Sequence, residues 1–242
     1  MNIDDFLGLA HQRRSIRKFK PDPVPDADIE KMLEAARWAM SGANAQPWEF
    51  IVIKNRDTIQ KITELHRDAR METYYLELTR LPELRHPAHS KPPELSGFKD
   101  APVVILVLGD RRTFQASVLA SNYLAGEAGA GATYVQGLAN ATFSLCLAAA
   151  ALGLGTQWVT VTRLFEIPLK RLLDVPDVMG IRTLVPVGYS AYQPKAAYRR
   201  ELKEFVHYEK YDRSKYRTGK EITDFVARLR GHTKPNYFEG KS

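Results

Sequence analysis

From Ala128 to Thr162 the chain runs for 35 residues without an Asp, Glu, Lys, Arg or His. So long a stretch without charge must leave water, either in a bilayer or in a protein core. Its composition argues against the bilayer. It is rich in Ala and Gly, carries Gln136, Asn140, Thr142, Ser144 and Gln157, and is broken by Gly153-Leu154-Gly155. What remains is a buried helix over about Thr133–Leu152 followed by a buried strand. That helix is apolar nearly all round (Tyr134, Val135, Leu138, Phe143, Leu145, Leu147), so it needs contacts on several sides. Ala139, Ala141, Ala148 and Ala149 permit close helix approach, and a subunit interface is one way to cover the surface.

The rest of the composition is that of a globular protein: 242 residues, 44% hydrophobic and 26% charged, which excludes a disordered or fibrous chain. The single cysteine, Cys146, rules out an internal disulfide and a multi-thiolate zinc site. With acids at Asp4 and Asp5 where a signal peptide would be basic, the expected compartment is the cytoplasm. The net charge of +7 is uneven, because residues 199–242 hold 12 basic and 7 acidic side chains. Those acids interleave with the cations, an arrangement that disfavours counterion-release binding, so no nucleic-acid partner is expected.

Periodicity predicts a helix from Asp26, acting as its cap, to about Met40, with Ile29, Met32, Leu33 and Ala36 inward. A short helix is expected at Asp57–His66. Strands are expected at Trp48–Ile53, at Val103–Leu108 (apolar throughout, hence covered on both faces), at Trp158–Val161 and at Thr183–Val187. Four strands among long helices predict an α+β or three-layer domain. Two segments, 67–99 and Ala125–Ala132, fit no packed element and read as mobile lids. The tail from about residue 190 is too polar for a core of its own and is expected to lie across the domain or a neighbouring subunit.

Two constellations can carry chemistry. If Arg13-Arg14-Ser15-Ile16-Arg17 is extended, Arg13, Ser15 and Arg17 face one way and Arg14 and Ile16 the other, presenting guanidiniums and a hydroxyl to an anion. Ser41-Gly42-Ala43-Asn44-Ala45-Gln46-Pro47 follows a helix and precedes a strand; Ser41, Asn44 and Gln46 offer directional hydrogen bonds to a planar ligand, and Gly42 allows close backbone approach. Other motifs fail. Gly153-Leu154-Gly155 lacks a third glycine, Gly126…Gly131 lacks the Lys-Ser/Thr of a phosphate loop, and His86-Pro87-Ala88-His89 has no third metal ligand. Cys146 reads as buried and inert.

In order and spacing, RRSIRKF (Arg13–Phe19), SGANAQPWEF (Ser41–Phe50), LGLGTQWVTVT (Leu152–Thr162), PVGYSAYQPK (Pro186–Lys195) and RRELKEFVHYE (Arg199–Glu209) resemble the FMN-dependent nitroreductase family, whose superfamily includes flavin deiodinases. The resemblance implies one α+β domain over 1–242: a three-layer sandwich with a central, mostly antiparallel sheet flanked by helices, wrapped into a homodimer with FMN at the subunit interface. A lid would occupy about 67–99. Arg13, Arg14, Ser15 and Arg17 of one subunit would meet the FMN phosphate, ribityl chain and N1/O2 edge, and Ser41, Asn44 and Gln46 would come from the other. Thr160 and Val161 would lie beside flavin N5, and Arg199, or Arg200 after a one-residue shift, would bind the phosphate.

The implied activity is a ping-pong oxidoreductase using NAD(P)H to reduce nitroaromatic, quinone or activated-alkene acceptors, with Tyr74 or Tyr75 as candidate proton donors. Departures from the family pattern are Met40-Ser41 where many members have Pro-Ser, and threonine at 160 where some have an acid. Deiodinases also have that threonine, so reductive dehalogenation of halophenols is an alternative, with Glu72, Tyr75 and Lys91 as loose lid candidates. A flavin-binding module without turnover is another.

Overall fold

The computed structural model describes residues 2–82, 91–196 and 198–233, with backbone alone at 114–115, 117–130, 227–228 and 230–233. The chain divides into two compact units, Met1–Pro194 and Lys195–Ser242.

The first unit is built on strand β2 (Val103–Asp110), whose first seven residues are all buried. Alternation sends Val103, Ile105 and Val107 into one apolar core and Val104, Leu106 and Leu108 into another on the opposite face. The first core is closed by helices α2 (Asp26–Arg37) and α4 (Arg111–Ala151). The second is closed by α3 (Arg56–Leu78) and α5 (Arg163–Leu173). A sheet between two helical layers is the expected α+β sandwich. It is antiparallel throughout: β1 (Trp48–Ile53) pairs with β2, β2 with β5 (Met179–Gly188), and β5 with the short β3 (Gly155–Thr156) and β4 (Val159–Thr160).

Several elements differ from the sequence expectation. Helix α2 stops at Arg37, and Pro25 occupies its N-cap position; the Asp26 carboxylate pairs instead with Lys54 Nζ at 2.5 Å. Helix α3 is 23 residues long and runs through 67–78, so the first part of the expected lid is helical. Asn55 caps it, accepting from the Thr58 N–H at 2.9 Å, and Ile59, Ile62 and Ala69 keep one stripe buried past the charged run. Helix α4 is 41 residues long and continues through Ala125–Ala132, which is therefore not a loop. Once Asp110 caps its start by accepting from Arg112 N–H, each further residue adds one hydrogen bond, so glycines are tolerated in its middle. The His86/His89 pair lies outside the described residues. Among the described residues no three metal-ligating side chains cluster, and no helix is long and apolar enough to cross a membrane.

Along its second half α4 has two faces. Tyr134, Leu138, Ala141, Leu145 and Ala149 are buried in the first core, whereas Val135 is 50% and Phe143 49% exposed.

In the second core His66 packs edge-on to Phe165 and tilted to Phe98, with its Nδ1 2.7 Å from Ser96 Oγ. Burial, helped by the charge of Arg70, pushes its pKa down to about 4. Between that value and the usual value near 6.5 the unfolded chain binds a proton that the folded chain does not. The stability held above pH 6.5 is therefore lost as pH falls toward 4, by on the order of 3 kcal/mol at most. Chemical denaturation of wild type and His66→Gln at pH 7 and pH 4.5 should show the wild type losing more stability than the variant; equal losses would contradict this account.

The second unit holds short turns at Leu202–Glu204 and Arg213–Lys215 and helix α6 (Gly219–Thr233).

Candidate functional site

Helix α1 (Ile3–Gln12) ends at Arg13, and the chain then crosses the sheet edge in extended form. Ile16 N–H donates to Thr156 O at 2.8 Å, Lys20 N–H to Tyr189 O at 2.9 Å, and Ala191 N–H to Lys18 O at 3.1 Å. Ile16 and Phe19, each 4% exposed, plug into the second core. Close contact with β3 requires Gly155, because a Cβ there would fall 2.5 Å from Ile16 Cγ1. Ile16 faces inward and Arg17 is exposed, on opposite sides as alternation predicted, whereas Arg14 does not follow Ile16 inward: Arg13, Arg14 and Ser15 are all half-buried.

The four polar residues differ in how free they are. Arg14 Nη1 donates to the carbonyls of His11 and Arg13, so its guanidinium is engaged by its own backbone. The charge of Arg13 acts on Cys146, whose thiol is nevertheless pushed up by burial, in keeping with an inert cysteine. Arg17 has no acidic partner among the described residues, and its peptide is clamped by Tyr192: the Arg17 N–H donates to Tyr192 Oη at 3.2 Å, and that hydroxyl lies 3.4 Å from Ser15 O. Tyr192 was not singled out from the sequence, because nothing local marks which tyrosine after β5 turns back onto the N-terminal segment.

The loop between α2 and β1 carries Ser41, Asn44 and Gln46. Its unusual backbone lies at Ala43 (φ 51°), Asn44 (φ 53°) and Gln46 (φ 47°), not at Gly42. Left-handed conformations at non-glycine residues persist where the surroundings impose them. Here Gln46 N–H donates to Ser41 Oγ and Asn44 N–H to Ser41 O, both at 3.0 Å. From α4, Asn140 Nδ2 donates to Met40 O at 3.0 Å, and Gly137 lets the helix approach Ser41. Ser41 is half-buried, and Asn44 and Gln46 are exposed.

At the end of β4, Thr160 is exposed opposite Thr183, and Val161 N–H donates to Arg182 O at 3.3 Å. Antiparallel alternation then turns the Thr160 peptide away from β5. The sequence did not mark Arg182. The pairing of β2 with β5 slips between Val107/Thr183 and Leu108/Ile181, leaving Arg182 as the extra residue of a bulge. Its guanidinium lies against Gly180 and 6.0 Å from the ring of Tyr134, whose phenol is pushed up by burial. A bulge re-aims one side chain at the end of a strand, and nothing in local composition announces it.

The structure brings Arg13–Arg17 together with Thr156 and Tyr192, and among the described residues no hydrogen bond joins them to the Ser41–Gln46 loop. That loop rests on α4 at Gly137 and Asn140. Ser15 stands beside Thr156, which pairs with Val187, and Thr160 pairs with Thr183. Those levels on β5 are about 13 Å apart. A cavity of about 680 Å³ between α5 and the sheet edge, with Arg163, Lys170, Asp174, Asp177 and Arg182 in its wall, shares only Val161 with the set identified from sequence. In the second unit Arg199 is exposed and donates to Tyr198 O, whereas Arg200 is held by Glu204 through its carboxylate at 3.2 Å and its carbonyl at 2.7 Å.

Comparison with known proteins agrees with the family resemblance. The profile of the nitroreductase family matches residues 10–189. The chain belongs to this family. A relative named putative NADH dehydrogenase/NAD(P)H nitroreductase from Methanothermobacter thermautotrophicus is 30% identical over 192 residues, 78% of this chain and 80% of that protein. Among solved structures, a putative NADH oxidase from Clostridium acetobutylicum is 26% identical, with a TM-score of 0.61 over 84% of this chain and 99% of that one. An iodotyrosine deiodinase bound to FMN and 3-iodo-L-tyrosine has the same fold: TM-score 0.65 at 23% identity, over 85% of this chain and 99% of that one. For this nitroreductase-family chain the family match ends at Tyr189, so the tail and Arg199 lie outside it.

Proposed function

We propose that the protein is an FMN-dependent oxidoreductase that takes reducing equivalents from NAD(P)H and passes them to a nitroaromatic, quinone or activated-alkene acceptor. The observation that carries this reading is an exposed guanidinium on a clamped backbone: Arg17 projects from a segment pinned to β3 and to Tyr192, and among the described residues no acid pairs with it. When bound, FMN supplies the hydride chemistry, by a ping-pong cycle in which reductant and acceptor use the same face in turn.

The residues present suit that cofactor. Arg13, Ser15 and Arg17 would hold its phosphate, ribityl chain and N1/O2 edge, and a cation at that edge favours negative charge there. Arg14 would contribute through its position rather than a free guanidinium. Ser41, Asn44 and Gln46 would complete the site from a second copy of the chain. The exposed apolar face of Val135 and Phe143, which a second copy would cover, supports this. Thr160 and Val161 would border N5. Arg199 suits the phosphate better than Arg200, whose guanidinium is held by Glu204. Of the 67–99 segment, whose residues 83–90 lie outside the described ones, the end of α3 would border the acceptor, with Tyr75, 55% exposed, presented there as a proton donor. A homodimer in the cytoplasm, without nucleic-acid or membrane partners, belongs to the same reading. The exposed Thr160 supports a second one, reductive dehalogenation of halophenols.

Anaerobic addition of NADH or NADPH to flavin-loaded protein should bleach the flavin absorbance. A panel of nitro, quinone, enone and halophenol acceptors should then restore it selectively. Bleaching by neither nucleotide would leave a binding module without turnover, and protein that neither carries FMN nor gains it on addition would overturn the proposal.

A further inference from the structure

Residues 96–101 form a turn far from both motifs in sequence, yet the turn touches the backbone of Arg17. Gly97 opens a short helical turn, Gly97–Asp100, and a Cβ on it would fall 2.0 Å from Arg17 O and 3.2 Å from Arg17 C. Its φ is not positive, so glycine serves the approach of one backbone to another and not an unusual conformation. Any side chain at 97 would have to push the Arg17 carbonyl away by about 1 Å or more to reach ordinary contact, a displacement large enough to matter at a binding site.

The turn is itself held rigidly. Phe98 and Ala101 are fully buried. At one end Ser96 Oγ lies 2.7 Å from His66 Nδ1. Through the rest, Arg56 donates to Ala101 O and to Lys99 O, both at 3.0 Å. Both anchors belong to α3, so one helix grips the turn at both ends. On its other flank the Arg17 peptide is held by Tyr192 at its N–H. The Arg17 peptide is thus bonded at its N–H and closely approached at its C=O by Gly97.

We propose that the Ser96–Ala101 turn is a positioning brace for Arg17, with Gly97 as its contact point and His66 and Arg56 as its anchors on α3. The inference rests on the reading above, in which Arg17 faces the N1/O2 edge of FMN. The brace holds the guanidinium where negative charge gathers on reduction. It therefore matters more for the reduced flavin than for the oxidised one, a difference that simple loosening of the fold would not produce.

The test measures the dissociation constants of oxidised FMN and, anaerobically, of dithionite-reduced FMN, together with melting temperature, for Gly97→Ala, Ser96→Ala, Arg17→Ala and a control, Gly8→Ala. Gly8 has nothing within 4 Å of where its Cβ would lie. Gly97→Ala should weaken oxidised FMN by about tenfold and reduced FMN by about a hundredfold. Ser96→Ala should show the same inequality with smaller factors, and Gly8→Ala no change. If Gly97→Ala does not fold, Ser96→Ala and His66→Gln decide by the same inequality. Equal weakening of both redox forms, or none, in the brace variants while Arg17→Ala selectively weakens the reduced form would overturn the brace and leave the flavin reading standing. An Arg17→Ala protein that binds both forms like wild type would overturn the placement of Arg17 and the brace with it.

Discussion

Replacing Arg13 and Arg17 together by alanine should strip the protein of FMN. Each guanidinium would make charge-assisted hydrogen bonds worth about 1.5–3 kcal/mol, so losing both should weaken binding by roughly 10²–10⁴-fold. The backbone of the segment should survive, because it is held by Ile16, Phe19 and bonds to Thr156 and Tyr189, none of which needs the arginine side chains. Arg14→Ala should cost far less than Arg17→Ala, since the Arg14 guanidinium is turned to the carbonyls of His11 and Arg13. Flavin absorbance after gel filtration, with circular dichroism to confirm folding, reads this directly. Wild-type flavin occupancy in the double variant would remove these arginines from the site.

The second large effect separates two residues that flank Ser144, Phe143 and Leu145. Leu145 is 0% exposed in the core beneath α4, and Leu145→Ala should destabilise the chain by about 2–5 kcal/mol, lowering the melting temperature by about 5–15 °C. Phe143 is 49% exposed on the other face. Phe143→Arg should leave the protomer folded, because the guanidinium replaces a ring already half in water. If a second copy covers that face, the same variant should shift sedimentation from dimer to monomer and release FMN with it. A Phe143→Arg protein with unchanged association would exclude an interface through this face.

The contrast shows where the sequence was readable. Strand β1 begins and ends at the predicted residues, Trp48 and Ile53, and β2 includes the apolar run read as covered on both faces, because burial pattern and chain direction are local properties there. The opposite facing of Ile16 and Arg17 followed from alternation. The prolines and charges of 67–99 predict an end to the helix near His66, but α3 runs on to Leu78, because the first of those prolines comes at 82 and charge is no obstacle to a helix whose other stripe stays buried at Ala69. In α4 the glycines at 126, 129 and 131 suggested a loop, whereas a helix already nucleated at Asp110 carries through them.

In the candidate site, the arginines, the serines and the Asn44/Gln46 pair were legible because their side-chain chemistry is visible in the letters. Their supports were not. Tyr192, Gly97, the bulge at Arg182 and the left-handed backbone of Ala43, Asn44 and Gln46 all depend on contacts between segments distant in the chain.

The sequence by itself determined that the uncharged stretch of 35 residues supplies a core helix and strand, and that two polar motifs flank helix and strand ends; of that helix one face, from Tyr134 to Ala149, is buried. Hydrophobic burial and backbone periodicity act over a few residues and can be read along a line. Only the tertiary structure decided which face of α4 is covered, how far each helix runs, and what holds Arg17 in place. Those outcomes depend on which surfaces meet in space, and a contact such as that of Gly97 with the Arg17 carbonyl has no signature in either segment alone.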